Sequence, residues 1–101
     1  MVLYIDTSDN TKTIVGLDGE RLEKKTGLEK SQQVLGLIAQ ILKQHGKTLP
    51  DLTGIEVNLG PGSFTGLRVG VSVASTLGWA LGLPVNDKDL RKGEVLEIRY
   101  E

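Results

Sequence analysis

The amino-acid sequence predicts a single α/β domain built on a mixed β-sheet, and two features carry that prediction. The N-terminal part holds three short strand-like runs separated by turn residues, among them Asp18-Gly19, a strong tight-hairpin signal. The pattern then changes to helix, strand, helix, strand, an alternation that requires right-handed crossovers between parallel strands. The resulting order is β-β-β-α-β-α-β, with one extra strand read at the C-terminal end.

Each element has its own local reason. Val2 to Asp6 is a compact apolar run ending in a carboxylate, as a buried central strand reads. Asp6-Thr7-Ser8-Asp9-Asn10 follows as a polar turn of residues that bond their own backbone. Thr13 to Leu17 and Glu20 to Thr26 form the hairpin, and the charges on the second arm (Glu20, Arg21, Glu23, Lys24, Lys25) suit an exposed edge. The first helix starts at Thr26, which has capping-box spacing to Glu29, or at Ser31. It reads as an apolar stripe of Val34, Leu35, Ile38, Ile41 and Leu42, with Leu37 off the stripe, and closes at His45-Gly46. Ile55 to Leu59 is the fourth strand and Leu83 to Val85 a short fifth. A charged loop over 86–93 precedes Val95 to Tyr100, whose alternation of apolar and charged residues is that of a half-exposed strand.

The second helix dominates the sequence. A Gly60-Pro61-Gly62 loop leads through Ser63, Phe64 and Thr65 into a run of small and apolar residues. Gly66, Gly70, Ala74, Gly78 and Gly82 recur every fourth residue and so form one ridge. Glycine inside a helix costs about 1 kcal/mol relative to alanine, so such a ridge implies close approach of another backbone. Docking of a partner helix is the expected use, with Val69, Val73, Leu77 and Leu81 left to cover the sheet. The simpler alternative is that the ridge packs on its own sheet.

Composition narrows the functional classes. At 101 residues the chain is one domain. Its net charge of −1, with signs interspersed, argues against a free-standing nucleic-acid binder. With no cysteine there is no disulfide, thiolate metal site or cysteine nucleophile, which fits a cytoplasmic chain. The second helix is interrupted by Arg68, serines and glycines and is too short for a membrane span, so no membrane partner is expected. His45 is the one histidine, which excludes a paired-histidine metal site and is explained by its place at a helix end. Asp6-Thr7-Ser8 reads either as a phosphate loop or as a polar turn capping a strand, the simpler reading. Gly60, Gly62 and Ser63 could cradle an anion at a helix N-terminus or form a rigid turn capped by Ser63 or Thr65, and both readings stay open.

At these residues the chain resembles a known family. The string GPGSFTGLRVGVSVASTLGWALGLPV, together with IDTS near the N-terminus, is similar to the N-terminal lobe of the TsaB (YeaZ) proteins, and the likeness runs from about Val2 to Val85. The resemblance implies a ribonuclease-H-like lobe of the actin/Hsp70-type ATPase fold. It also implies a non-catalytic scaffold subunit that docks on TsaD and supports threonylcarbamoylation of adenosine 37 in tRNA. TsaD carries the metal site and the transfer activity in that scheme, while a TsaE-type ATPase and tRNA are met only through the complex. Docking through the two helices would place Val34, Leu37, Ile38 and Ile41 of the first, and Leu67, Gly70, Val71, Ala74, Ser75, Gly78 and Trp79 of the second, at the partner. A homodimer through the same face is the alternative. A nucleotide-binding enzyme using Asp6, Thr7, Ser8 and the Gly60–Gly66 loop, with ATP and magnesium, is a third reading. The chain departs from the family in having Lys30-Ser31 where members usually carry His-Ser. The resemblance stops after Val85, so the half of a nucleotide cleft that a second lobe would supply is not expected from the residues that follow.

Overall fold

Alternation along the strands decides which face of the sheet is buried. The computed structural model describes residues 1–25 and 30–99. The expected capping box at Thr26 and Glu29, and Tyr100 of the expected last strand, lie outside those residues. Strands β1 (Val2–Asp6), β2 (Lys12–Leu17), β3 (Glu20–Lys25) and β4 (Gly54–Val57) form a sheet in the order β3-β2-β1-β4. β2 runs antiparallel to β1 and β3, and β4 runs parallel to β1. Leu3 and Ile5, Thr13, Val15 and Leu17, and Ile55 and Val57 all point to one face and are buried. Asp18 and Gly19 both have positive φ, 49° and 88°, as a twist-matched two-residue hairpin turn requires.

Helices α1 (Lys30–Gln44) and α2 (Phe64–Leu81) both cover that face, α1 on β2 and β3, α2 on β1 and β4, and they also pack on each other. The buried stripe of α1 is Val34, Leu37, Ile38, Ile41 and Leu42. This corrects the expected stripe: Leu37 belongs to it, and Leu35 faces solvent at 51% exposure. The spacing i, i+3, i+4, i+7, i+8 from Val34 is the geometric reason. The ammonium of Lys30 donates to the carbonyls of Asp9 (3.0 Å) and Lys12 (3.2 Å), tying the described start of α1 to the β1–β2 turn.

The glycine ridge of α2 turns inward, which reverses the expected assignment of its faces. Gly66, Leu67, Gly70, Ala74 and Gly78 are the buried residues of the helix. A side chain on Gly66 would collide with the Thr7 carbonyl, one on Gly70 with the Thr7 hydroxyl, and one on Gly78 with the Val85 side chain. The Thr7 hydroxyl donates to Gly66 O, so the helix backbone lies directly on the end of β1. Val69, Val73 and Leu77, expected to cover the sheet, are instead half-buried on the flank towards α1. Gly82 is not part of the ridge; it caps α2 in the left-handed conformation (φ 69°). Arg91, in a short 3₁₀ turn at Leu90–Lys92, donates to the helix carbonyls of Trp79 (2.7 Å) and Ala80 (3.3 Å), a favourable place for a cation.

The last two expected strands do not form among the described residues. Val85 makes only isolated bridges, parallel to Ile55 and antiparallel to Lys88, because left-handed Asn86 and Asp87 (φ 50° and 63°) fold the chain back. Asn86 then takes the place of a strand: its N–H donates to Ile55 O, its amide oxygen accepts from Val57 N–H at 2.8 Å, and its amide NH₂ donates to Val57 O at 3.0 Å. With that edge of β4 engaged, residues 94–99 run beside α2, and the Arg99 N–H donates to Leu59 O at 2.7 Å. Half-buried Leu96 and Ile98 alternate with exposed Glu97 and Arg99, so the period-two pattern is present without a sheet partner, Leu96 lying beside α2. No helix of the described residues is long and apolar enough to cross a membrane.

The inward ridge has a direct consequence for stability. Gly70→Ala must displace Thr7 and should lower stability by about 1–3 kcal/mol, the usual range for overpacking. Gly36→Ala on the exposed side of α1, where nothing lies within 4 Å of the added carbon, should raise it by about 0.5–1 kcal/mol. Urea denaturation of the two variants decides: a Gly70→Ala variant as stable as Gly36→Ala would contradict the packing.

Candidate functional site

Two regions hold the residues singled out from sequence, and the first is the pair of turns at the C-terminal ends of β1 and β4, where open α/β sheets commonly bind ligands. The Asp6 carboxylate accepts from the Ser8 backbone N–H (2.9 Å), the Ser8 hydroxyl (2.6 Å) and the Tyr4 hydroxyl (3.2 Å). The Asn58 amide donates to the Ser8 hydroxyl oxygen at 3.2 Å, and its carbonyl accepts from Gly60 N–H at 2.9 Å. Ser63 N–H donates to Ser8 O at 2.8 Å, while the Ser63 hydroxyl caps α2 by accepting from Gly66 N–H. A side chain on Gly62 would come within 2.6 Å of Ser8 O, so that glycine serves close contact between the turns. Asp6, Thr7, Ser8, Gly60, Gly62 and Ser63 are thus brought together, as a phosphate-loop reading would need.

The hydrogen bonds of the assembled turns run mostly within and between the turns themselves. The N–H groups of Ser8, Gly60, Ser63 and Gly66 and the hydroxyls of Thr7 and Ser8 are engaged within the network. Asp6 is held by its neighbours on both oxygens. These groups are therefore occupied in holding the two turns together, as the polar-turn reading expects. Among the described residues no group of three His, Cys, Asp or Glu side chains could hold a metal ion. His45 sits just past the end of α1, Nδ1 2.9 Å from Ile41 O and Nε2 3.6 Å from the Glu20 carboxylate.

The network also shapes the acid response. Burial pushes the Asp6 carboxyl up, but the hydrogen bonds from Ser8, Asn58 and Tyr4 together outweigh it and hold the group below the ordinary aspartate value. A depressed folded-state value stabilises the fold above the unfolded pKa, and that contribution disappears as pH falls through the folded-state pKa. Stability should therefore fall on acidification from about pH 5 downwards. Asp6→Asn should be less stable at neutral pH and show a shallower acid slope in denaturant titrations. An unchanged slope would mean that Asp6 is not held as described.

The second region is the outward side of the helices. Of the residues expected at a partner, Val34, Leu37, Ile38, Ile41, Leu67, Gly70, Ala74 and Gly78 are buried inside this lobe and so are unavailable as a surface. Val71 and Ser75 are half-buried, and Trp79 is 56% exposed. The surface that remains is different. On α2 it carries Phe64, Thr65, Arg68, Ser72, Thr76, Trp79 and Ala80, with Arg68 as its one charge. On α1 it carries Leu35, Gly36 and Ala39. A surface helix normally turns a charged face to water, and this one does not. Leu35, Gly36 and Ala39 were missed as surface residues, although their phase relative to Val34 and Leu37 puts them on the far side of the stripe.

Comparison with known proteins extends the geometry. The family model described as TsaD, tRNA N6-adenosine threonylcarbamoyltransferase, matches residues 24–87. The tRNA threonylcarbamoyladenosine biosynthesis protein TsaB of Bacillus subtilis is 38% identical over 89 residues, covering 84% of this chain and 39% of the relative. A tRNA N6-adenosine threonylcarbamoyltransferase of Vesicomyosocius okutanii is 45% identical over 53 residues, covering 52% of this chain and 16% of the relative. The solved structure of YeaZ from Pseudomonas aeruginosa superposes with a TM-score of 0.68 at 29% identity, over 83% of this chain and 40% of that one. The chain thus spans about two fifths of the length of the Bacillus subtilis TsaB and the Pseudomonas aeruginosa YeaZ. With the family model matched over more than half of the chain, and the sheet and helices superposing on YeaZ, the chain belongs to the TsaD-type family as a TsaB (YeaZ) member with an actin-like, ribonuclease-H-like lobe.

Proposed function

We propose that this lobe is a non-catalytic docking subunit in tRNA threonylcarbamoyladenosine biosynthesis, seating a TsaD-like subunit on the outward face of α1 and α2. The observation that carries the reading is the nearly uncharged solvent side of α2, continued by Leu35, Gly36 and Ala39 of α1. Small residues there let partner helices approach closely, and few charges need desolvation on docking. The likeness of this chain to a threonylcarbamoyltransferase supports the pairing, because two similar lobes can meet through equivalent faces about a pseudo-twofold axis. The closed hydrogen-bond network around Asp6 supports the non-catalytic part. In this reading the lobe works in the cytoplasm, and a TsaE-type ATPase and tRNA meet it only in the assembled complex.

Light scattering on the chain, alone and mixed with the TsaD-like subunit of the same organism, tests the proposal. A one-to-one complex is expected, and Leu35→Glu or Thr76→Arg should each weaken it at least tenfold with the circular dichroism of the lobe unchanged. Self-association of the chain alone, abolished by the same variants, would favour the homodimer instead. Complex formation untouched by either variant would remove the helix face from the account.

A further inference from the structure

Glu94 is anchored to Asp89, whose N–H its carboxylate accepts at 2.6 Å and whose carbonyl accepts its N–H at 3.3 Å. Beyond it, residues 95–99 lie on the fold as a strap whose attachments are few. From the left-handed Gly93 (φ 87°) the segment runs back beside α2 towards the start of that helix. There Arg99 N–H donates to Leu59 O at 2.7 Å, and the Arg99 carbonyl lies against Gly60. Gly60 is suited to receive it: its φ is 115°, and any side chain would overlap that carbonyl. Among the described residues, this Arg99–Leu59 bond is the backbone hydrogen bond that ties 95–99 to the rest of the fold. Leu96 and Ile98 are half-buried, whereas Val95 remains 68% exposed. Between strap and helix lies an open groove of about 550 Å³, lined by Val71, Ser75 and Trp79 on one side and by Leu90, Val95 and Leu96 on the other. A tightly packed core would leave no such space.

The strap therefore shields an apolar flank of α2 and holds it loosely. That flank adjoins the outward face, since Thr76, Trp79 and Ala80 line the groove and also face solvent. We infer that residues 95–99, hinged at Glu94, are a displaceable self-cover, which shades Val71, Ser75 and one side of Trp79 in the isolated lobe and gives way when a partner docks on α2. The competition with a partner rests on the docking reading above; the self-cover does not. A cover that must open first lowers apparent affinity by the fraction of molecules already open.

Trp79 is the chain's one tryptophan, so its fluorescence reports on the groove. In the double variant Leu96→Asp/Ile98→Asp, Trp79 emission should shift to the red and the amides of 95–99 should exchange faster. Thermal unfolding should stay cooperative, and the apparent affinity for the TsaD-like subunit should rise roughly tenfold. If the double variant fails to fold, removal of residues 95–101 gives the same readouts. Unchanged emission and exchange would overturn the self-cover. A released strap with unchanged or weaker binding would overturn the competition, making the segment a bystander or part of the interface. Absence of binding by both proteins would overturn the docking reading and the competition with it, while emission and exchange still decide the self-cover.

Discussion

The fold depends on the close seating of α2 against the end of β1 at Thr7. Thr7 is fully buried, its carbonyl lies where a side chain on Gly66 would be, and its hydroxyl both faces Gly70 and donates to Gly66 O. Helix and strand backbones can approach this closely only where side chains are absent, which justifies the propensity cost of the helix glycines. The seat also fixes the loop before the helix. Ser63, which caps α2, donates its N–H to Ser8 O, and Gly62 lies on Ser8.

Once the glycine side is inward, the rest of α2 has little choice. Its flank towards α1 takes Val69, Val73 and Leu77 into the edge of the core, and its other flank meets the strap of residues 95–99. What is left faces out with Arg68 as its charge. The functional reading therefore comes from the side opposite the glycines. The same seat draws in the polar turns at Asp6 and Gly60, whose donors hold two loops and a helix start together, an arrangement in which polar groups are satisfied by one another.

Much of the architecture is legible in the sequence. Asp18-Gly19 announced the hairpin because only a pair tolerating positive φ fits that turn, and the change of period after it announced the crossovers. Ser63 as one of two candidate caps of α2, and Gly46 as a helix stop, follow from local chemistry. The stripe of α1 was readable too, though Leu35 and Leu37 exchange roles once 3.6-residue spacing is applied strictly. The Val95–Tyr100 alternation was ambiguous in principle, since a period of two says that one side is covered and not by what. Asn86 sealing the edge of β4 has no pattern signature, because the preference arises from where Val57 ends up in space.

By itself the sequence determined the element order, the turn chemistry and the presence of a helix made for close contact, all of which follow from dihedral preferences and spacing within a few residues. Only the tertiary structure decided what that helix touches. A ridge of small residues states that a backbone comes near but carries no label for whose backbone it is. Here the burial of Thr7 and Val85 beneath the ridge answers that it is the chain's own, and a partner is left the opposite side.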